Sequence, residues 1–315
     1  MIALVGYTGF VGCNIYAKAS NRIDTLYNSK NIKKAYGLEP DILIYSGLRA
    51  EKYLANNAPD KDMELILEAE ENIRKIAPKK LVLISTIDVF KNPVGVDENT
   101  SVPLASGDGF HPYGLNRYYL ETWVRKNYLD ALIIRLPGLY GLNLKKNFIY
   151  DMINIIPFMI KAEKMEELSA KDNTEPKFLD CYELLDNGFY RCKKLSEADK
   201  QALKVKFQKI GFTALDFTDS RSTYQFYPLN RLWEDIHTAL NEDIRTLHLA
   251  TEPVSAGELY KYVTGKEFKN ELKGTPAKYD YKTIYAEKFG GKGGYICSKQ
   301  EILADIKGFM EGHGY

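Results

Sequence analysis

Hydrophobic residues along this 315-residue chain follow two alternating patterns. Short continuous apolar runs are typical of strands that are buried on both faces of a parallel sheet. Apolar residues three and four positions apart are typical of helices that pack one face on a core. The strand-like runs occupy residues 2–5, 23–27, 42–45, 80–84 and 132–135. Helical spacing follows over residues 11–19, 62–76 and 112–124. The alternation predicts an α/β domain with a doubly wound, Rossmann-like parallel sheet over residues 1–150.

The second half of the chain carries mainly helix signals. Helices are predicted over 148–156 before Pro157, from the N-cap Ser196 to Gly211, after Asn230, and after the capping boxes that begin at Ser255 and Ser298. Residues 247–250 are predicted to form a strand. These elements predict a smaller, mixed C-terminal lobe over residues 151–315, to which we assign substrate binding.

Composition narrows the class of protein. The net charge of +1 argues against nucleic acid or an anionic membrane as the main partner. The apolar runs are too short for a membrane span, and the N-terminus has no secretion signal, so a soluble cytoplasmic protein is expected. The four cysteines and four histidines lack metal-ligand spacing, which predicts structural thiols and no metal site.

A glycine-rich turn directly follows the first apolar run, and a helix pattern begins within it. The start of a helix has unpaired N–H groups and a partial positive charge, and glycine lets a phosphate approach the backbone closely. We therefore predict that residues 1–150 bind a dinucleotide at this turn. The residues assigned to that contact are Gly6, Thr8, Gly9, Phe10, Val11 and Gly12.

The ends of the following strands extend the predicted site. In dinucleotide-binding folds, an acidic residue after the second strand binds the ribose 2′-hydroxyl, and a basic residue tolerates a 2′-phosphate. Asn28, Ser29 and Lys30 stand at this point without a carboxylate, so NADP is favoured over NAD. Ligands of open parallel sheets collect at the carboxyl ends of strands. By this rule, the predicted site also includes the residues that end or follow the next strands: Ser46, Gly47, Leu48, Ser85 and Thr86.

Several motifs occur in the order that they have in one family. They are the glycine turn at 6–12, Ser85-Thr86 before Val89-Phe90, residues 97–100, Pro112-Tyr113-Gly114 and residues 135–141. With these motifs the chain resembles the extended short-chain dehydrogenase/reductases of the sugar-nucleotide epimerase, dehydratase and reductase group. Its trimmed N-terminal half is most similar to dTDP-4-dehydrorhamnose reductases. The resemblance covers about residues 1–150, returns weakly over about 222–309, and is absent between.

The resemblance implies an NAD(P)-dependent epimerase or keto-reductase that acts on a nucleotide-activated sugar. It implies that Tyr113 is the general acid or base and that Thr86 hydrogen-bonds the substrate oxygen. Arg117, on the same helix face as Tyr113, would hold the nicotinamide ribose and favour the phenolate. It further implies contacts to the nicotinamide from Pro137 and Leu139, and to the sugar nucleotide from Asn147.

The chain departs from the family pattern at two positions. Arg117 stands where the family has a lysine, and the planar guanidinium is not a conservative replacement at a site set by geometry. A non-catalytic, cofactor-binding or regulatory protein is therefore an alternative. Ile87 follows Thr86 where the dehydratases carry an acidic residue, which disfavours dehydration. A reductase of a small, non-nucleotide ketone is a third interpretation.

Residues from about 160 to 221 have no counterpart in the family and are rich in charge. Long insertions in such folds commonly carry specificity, which favours a lid or a substrate-side insertion, with a solvated spacer as the alternative. The expected partner is a small-molecule substrate. Homodimer formation is left open.

Overall fold

The computed structural model of the protein describes residues 1–102, 111–171 and 177–312. Contacts within the chain divide it into two compact units. The first unit comprises Met1–Leu144, Thr223–Val254 and Lys278–Asp305. The second unit comprises Lys145–Ser222, Ser255–Ala277 and Ile306–Tyr315.

The described elements are numbered here in chain order. The strands are β1 (Ile2–Val5), β2 (Thr25–Tyr27), β3 (Ile42–Tyr45), β4 (Lys80–Thr86), β5 (Leu132–Leu136), β6 (Gly138–Tyr140), β7 (Met159–Lys161), β8 (Tyr182–Leu184), β9 (Phe189–Cys192), β10 (Thr223–Tyr224), β11 (Phe226–Pro228), β12 (Thr246–His248) and β13 (Val254–Ser255). The α-helices are α1 (Phe10–Ala19), α2 (Lys52–Asn57), α3 (Pro59–Ile76), α4 (Pro112–Asn127), α5 (Phe148–Ile153), α6 (Ala162–Ala170), α7 (Phe178–Cys181), α8 (Glu197–Ile210), α9 (Leu232–Asn241), α10 (Ala256–Thr264) and α11 (Lys299–Glu311). Short 3₁₀ helices occupy Ile32–Ala35, Ile87–Val89, Ala214–Phe217, Leu229–Arg231 and Ala286–Phe289.

Six strands form one parallel sheet in the first unit, in the order β12-β5-β4-β3-β1-β2. Each neighbouring pair is parallel. In the register of the central strands, Leu4 lies opposite Leu26 on one side and Ile44 on the other. Leu4 and Ile44 are at most 1% exposed, as expected for strands that are covered on both faces. The predicted Rossmann-like α/β fold is confirmed.

The strand order reverses direction at β1, which lies between β2 and β3. Only the 3₁₀ helix Ile32–Ala35 separates β2 from β3, so the helix and strand that usually intervene are missing, as the short spacing predicts. Ligands of open α/β sheets bind where the order reverses, outside the carboxyl ends of the strands. Gly6 follows β1 and Ser46 follows β3, so both residues lie at this point.

Helices α3 and α4 pack on the sheet and bury a continuous apolar core. Ile66 and Ile73 of α3, Leu120 of α4, and Leu43 and Leu81 of the sheet are all completely buried. Burying one such side chain stabilises a fold by about 1.5–3 kcal/mol. This core holds α3 and α4 against the sheet.

The sixth strand, β12, comes from the second half of the sequence. It pairs with β5 in parallel, with Leu247 opposite Ile134. This stretch therefore lies in the sheet of the first unit and not in a continuous lobe over residues 151–315. Leu247 and His248 of β12 are fully buried. Buried backbone groups need hydrogen-bond partners, and the edge of β5 supplies them.

The second unit contains a three-stranded antiparallel sheet in the order β7-β9-β8. Phe178 of α7 and Phe207 of α8 belong to a separate apolar core with their ring centroids 4.8 Å apart. Helix α8 has its predicted ends, because the Ser196 hydroxyl caps its start and Gly211 adopts the left-handed conformation at its end. Most of the stretch 160–221 is thus packed on a core, which contradicts a solvated spacer. The sequence pattern predicts only α8 here because strands of three or four residues show too little periodicity.

The helix ends largely follow their local signals. Reciprocal capping at Ser255 opens α10, and Ser298 and Glu301 hydrogen-bond reciprocally at the start of α11. Helix α5 ends at Ile153 and not at 156, because the backbone of Asn154 leaves the helical region. None of the helices in residues 1–102, 111–171 and 177–312 combines the length and apolar character that a membrane crossing requires.

Candidate active site

The glycine turn after β1 adopts a conformation that requires its glycines. Gly6 has φ = +88°, and a Cβ atom there would lie 2.5 Å from the carbonyl oxygen of Ser46. A Cβ atom on Gly12 would lie 2.1 Å from the carbonyl oxygen of Gly6. No side chain fits at either position, so the turn, the end of β3 and the first turn of α1 approach one another backbone to backbone.

The start of α1 is open to an anion. Gly9 is the N-cap residue and has no side chain to bond the first amides, and no acidic residue lies in the first turn. Thr8 and Gly9 are exposed, whereas Phe10 and Val11 are half-buried. The unpaired amides and the helix dipole both favour a negative group here. The residues present fit the pyrophosphate of a dinucleotide, and their contact with it stays a prediction.

The turn after β2 is held by its own side chains. Asn31 Oδ1 accepts a hydrogen bond from the Asn28 amide at 2.7 Å, and Asn28 Oδ1 accepts one from the Lys30 amide at 2.9 Å. Ser29 and Lys30 are exposed. The Gly6 amide donates to the Tyr27 carbonyl at 2.7 Å. Ser29 and Lys30 therefore stand at the same end of the sheet as the glycine turn.

The residues after β3 line this end of the sheet. Ser46 Oγ donates to the Val5 carbonyl at 2.8 Å, so its hydroxyl braces the neighbouring strand. Gly47 is exposed, and a Cβ atom there would lie 3.1 Å from the Val5 side chain. Leu48 packs against the apolar core. Their contacts with a cofactor stay predictions.

Helix α4 begins against the end of β4, and this contact places Tyr113 beside Thr86. Pro112 occupies the first turn, where its missing N–H group costs no hydrogen bond. A Cβ atom on Gly114 would lie 2.0 Å from the carbonyl oxygen of Asp88, so only glycine permits this approach. The Pro-Tyr-Gly motif is thus explained by packing as well as by chemistry.

Tyr113 is 6% exposed, and its phenol lies beside the side chain of Thr86. Burial raises the pKa of Tyr113 to about 12, and the negative charges of Asp88 and Asp62 act in the same direction. The positive charge of Arg117 and the side chain of Thr86 oppose this shift without cancelling it. Tyr113 is consequently a neutral phenol at neutral pH.

Arg117 is held beneath Tyr113 by a buried ion pair. The side chains of Arg117 and Asp62 are 3% and 1% exposed, and Arg117 Nη1 bonds to Asp62 Oδ2. Its second terminal nitrogen donates to the Arg49 carbonyl at 2.7 Å. The guanidinium carbon lies 4.1 Å from the centroid of the Tyr113 ring, within cation–π range. Arg117 therefore faces the aromatic ring while Asp62 balances its charge.

Asp88 joins the site from the 3₁₀ helix after β4. Its carboxylate accepts hydrogen bonds from Thr86 Oγ1 at 3.2 Å and from the Tyr279 hydroxyl at 2.9 Å. Lys52 Nζ lies 2.5 Å from Asp88 Oδ2 and 5.8 Å from the centroid of the Tyr113 ring. Thr86, Tyr113, Asp88, Lys52 and Tyr279 form one cluster, which we call the tyrosine cluster.

Ser85 points away from the tyrosine cluster, because side chains alternate along a strand. Its hydroxyl donates to Glu121 Oε1 at 2.6 Å, and Glu121 also accepts two hydrogen bonds from Arg135 at 3.1 and 2.7 Å. Burial, with the adjacent Arg135 charge, lowers the pKa of His248 to about 3. This buried network joins α4 to β4 and β5. Its hydrogen bond to Glu121 uses the proton of the Ser85 hydroxyl. A cofactor contact from Ser85 would have to use other atoms.

Pro137 and Leu139 are half-buried. Pro137 lies between β5 and β6, and Leu139 lies in β6. Asn14 anchors the stretch that follows, since its side chain donates to the Leu142 carbonyl and accepts from the Leu142 amide, at 2.8 and 2.9 Å. Asn147 belongs to the second unit, where it caps α5 by accepting from the Tyr150 amide at 3.1 Å. The predicted cofactor and substrate contacts of Pro137, Leu139 and Asn147 stay predictions.

Sequence reasoning missed four members or supports of the site: Asp62, Asp88, Lys52 and Tyr279. A signal for Asp62 was available, because it falls on the apolar stripe of α3 with Ile66 and Ile73 and is therefore buried. Lys52 and Tyr279 carry no comparable local signal. Within residues 1–102, 111–171 and 177–312, no group of histidine, cysteine and acidic side chains could hold a metal ion.

No protein-family model matches the chain. Among curated proteins, the β subunit of methionine adenosyltransferase 2 from cattle (Bos taurus) and from the orangutan Pongo abelii is 26% identical over 149 residues. The match covers 45% of this chain and 43% of the length of those relatives. The chain thus matches less than half the length of these relatives.

Solved structures match over nearly the whole chain. The dTDP-4-dehydrorhamnose reductase of Clostridium acetobutylicum has a TM-score of 0.62 at 13% identity and covers 98% of this chain and 99% of its own. The Bacillus anthracis reductase, in complex with NADP, has a TM-score of 0.61 at 16% identity, with coverage of 98% and 97%. The UDP-glucose 4-epimerase of Thermotoga maritima, with UDP-glucose, has a TM-score of 0.61 at 13% identity, with the same coverage. The resemblance that the motifs carry is therefore confirmed at the level of the fold.

Proposed function

We propose that this protein is an NAD(P)-dependent keto-reductase that acts on a nucleotide-activated sugar. The observation that carries the proposal is the buried phenol of Tyr113, which lies beside the buried Thr86 at the carboxyl end of the parallel sheet. A neutral phenol is an acid that can protonate a carbonyl oxygen. Tyr113 thus fits the proton-donating half of a ketone reduction.

The cofactor is proposed to bind between the glycine turn and α4. Gly6, Gly9 and Gly12 would receive the pyrophosphate at the start of α1, and Lys30 would favour the 2′-phosphate of NADP. The NADP in the structurally similar Bacillus anthracis reductase supports this choice. The reduced nicotinamide supplies a hydride to the substrate carbon. The protein supplies the proton and the orientation.

Reduction is favoured over epimerisation by the protonation state of Tyr113. An epimerase of this kind begins by removing a proton from a sugar hydroxyl, which needs a phenolate. Burial raises the pKa of Tyr113 to about 12, so the neutral phenol predominates at pH 7. A ketone reduction instead begins with the protonated form, which is the one that the site holds. Ile87 is buried after Thr86, so no carboxylate occupies that position for a dehydration.

A nucleotide-activated sugar is proposed as the substrate because the similar solved structures are named for such reactions. The small, non-nucleotide ketone is the competing substrate class. It would be favoured if nucleoside diphosphates failed to raise the melting temperature of the protein with bound NADPH.

The test is turnover of dTDP- and UDP-linked 4-keto sugars with NADPH by the purified protein. We expect NADPH oxidation by the parent and a loss of at least about 10²-fold in Tyr113→Phe, which lacks the acidic proton. Tyr119→Phe is the matched control, because Tyr119 is exposed on the same helix, and it should retain full activity. A parent that binds no dinucleotide in calorimetry contradicts the proposal at its first step.

A regulatory subunit is the second candidate function. It is favoured by Arg117, whose charge is bound to Asp62 where the family has a lysine, and by the curated match to a protein named as a β subunit. Under this candidate the parent binds NADPH tightly without oxidising it in the presence of any 4-keto sugar nucleotide. Arg117→Lys would then create turnover that the parent lacks. Measurable turnover by the parent excludes this candidate.

A further inference from the structure

The tyrosine cluster contains a continuous chain of hydrogen-bonding groups from Tyr113 to solvent. Thr86 lies beside the Tyr113 phenol and lowers its pKa, and Thr86 Oγ1 donates to Asp88 Oδ2 at 3.2 Å. Lys52 Nζ lies 2.5 Å from the same carboxylate oxygen. The Lys52 side chain is 54% exposed, whereas Tyr113 and Thr86 are 6% and 8% exposed. Lys52 is thus the group of this series that contacts solvent.

Tyr113 needs such a chain if it works as an acid, because each turnover leaves a buried phenolate. Arg117 is the nearest cation to the ring, but a guanidinium does not release its proton in proteins. Arg117 is also buried and bonded to Asp62 and to the Arg49 carbonyl. Reprotonation through Arg117 is therefore excluded by its chemistry and by its burial.

We propose that Asp88 and Lys52 relay the proton that restores Tyr113 after each reduction, by way of Thr86. This inference rests on the proposed function and assigns a role to two residues that carry none in the family resemblance. Asp88 is well placed for the relay, since the Tyr279 hydroxyl at 2.9 Å holds its other oxygen and leaves Oδ2 for Thr86 and Lys52.

Each proton that Tyr113 gives to the product is replaced by one from solvent. In the reduction, a bound reduced dinucleotide would supply the hydride of the new C–H bond, the π bond of the substrate carbonyl would break, and the Tyr113 O–H proton would pass to the substrate oxygen. The Tyr113 phenolate then takes the Thr86 hydroxyl proton, and Thr86 is reprotonated by Asp88. Asp88 has received that proton from the Lys52 ammonium, and the Lys52 amine regains one from water. One proton enters from solvent for each product formed.

Two variants of Lys52 separate its role as a proton donor from its role as the positive charge beside Asp88. Lys52→Arg keeps a positive charge beside Asp88 but does not release a proton, and Lys52→Ala removes both properties. Lys61→Met is the matched control, because Lys61 is an exposed lysine on α3 outside the cluster. Calorimetric NADPH binding and melting temperatures should stay at the parent values in all three variants, since none touches the glycine turn or the core.

The measurement compares the first turnover with steady-state turnover of a 4-keto sugar nucleotide. Because Tyr113 begins protonated, the first turnover should stay within about twofold of the parent in both Lys52 variants. The steady-state kcat should fall by roughly tenfold or more in both, with a larger solvent deuterium isotope effect. Methylammonium should restore part of the turnover of Lys52→Ala. Asp88→Asn should show the same loss in steady state.

Three outcomes overturn the relay alone. If Lys52→Arg turns over at the parent rate while Lys52→Ala is slow, the lysine acts only through its charge. If the first turnover falls as much as the steady state, Lys52 positions the reacting groups and supplies no proton. A parent that binds NADPH but never turns over contradicts the proposed function, and the relay fails with it. A parent that turns over with both Lys52 variants unaffected contradicts the relay and leaves the proposed function standing.

Discussion

Arg117 of α4 and Asp62 of α3 form a buried ion pair, 55 residues apart in the sequence. Asn116 Nδ2 donates to the same Asp62 oxygen at 2.8 Å, so one carboxylate binds two consecutive residues of α4. The pair is a fixed connection between two helices. Arg117 consequently belongs to the packing of the site as much as to its chemistry.

The first prediction concerns this ion pair. Asp62→Ala should destabilise the protein by about 3–5 kcal/mol in urea unfolding, because it leaves the Arg117 charge buried without a partner. Asp60→Ala, at an exposed position in the same helical turn, should cost less than about 1 kcal/mol. Replacing both partners, as in Asp62→Leu with Arg117→Met, should recover most of the loss. A small effect of Asp62→Ala would mean that Arg117 finds solvent or another partner.

The second prediction concerns the glycine turn. Gly12→Ala should abolish NADPH binding in calorimetry, because its Cβ atom would lie 2.1 Å from the Gly6 carbonyl oxygen and 2.9 Å from Ser46 Oγ. Gly308→Ala is the control, since nothing lies within 4 Å of its added Cβ atom in α11. That change should leave binding intact and stabilise the protein by about 0.5–1 kcal/mol. Unaltered binding by Gly12→Ala would place the dinucleotide elsewhere.

The third prediction concerns the choice of dinucleotide. Lys30→Ala should weaken NADPH binding by roughly tenfold and leave NADH binding nearly unchanged, because Lys30 is an exposed cation at the end of β2. Lys18→Ala, which removes an exposed lysine from the last turn of α1, should alter neither affinity. Equal weakening of both dinucleotides would show that Lys30 acts on a group that they share.

The fourth prediction concerns pH and the second unit. Burial raises the pKa of Asp151 on α5 from 3.8 to about 7. A raised folded-state pKa means that the stability contributed by the protonated carboxyl is fully present below about pH 4 and is lost as the pH rises through 7. Asp151→Asn keeps the shape without the charge, so it should be more stable than the parent at pH 8, by roughly 4 kcal/mol. Near pH 4 the two proteins should have the same stability.

The exposed Asp186 of the second unit serves as the control for this pH experiment. Asp186→Asn should change the free energy of unfolding by less than about 0.5 kcal/mol at either pH. An Asp151→Asn variant whose advantage does not depend on pH would show that the carboxyl is not buried in solution.

The parts of the site that could be predicted from sequence are those made by neighbours in the chain. The glycine turn, the start of α1 and the Pro-Tyr-Gly start of α4 each depend on a few consecutive residues, whose backbone requirements are visible in the sequence. The antiparallel sheet of the second unit escaped because its strands are too short for a period-two signal. The assignment of residues 246–248 to the main sheet escaped because strand pairing is a long-range choice.

By itself, the sequence determined the order of the main strands and helices of residues 1–150, the turns that only glycine can make, and the presence of a tyrosine, a threonine and an arginine in one motif set. The tertiary structure alone decided what surrounds them. Asp62 reaches Arg117 and Tyr279 reaches Asp88 across 55 and 191 residues. A charge or a pKa responds to distance and burial in space, and these contacts between distant segments arise only when the helices and strands pack together.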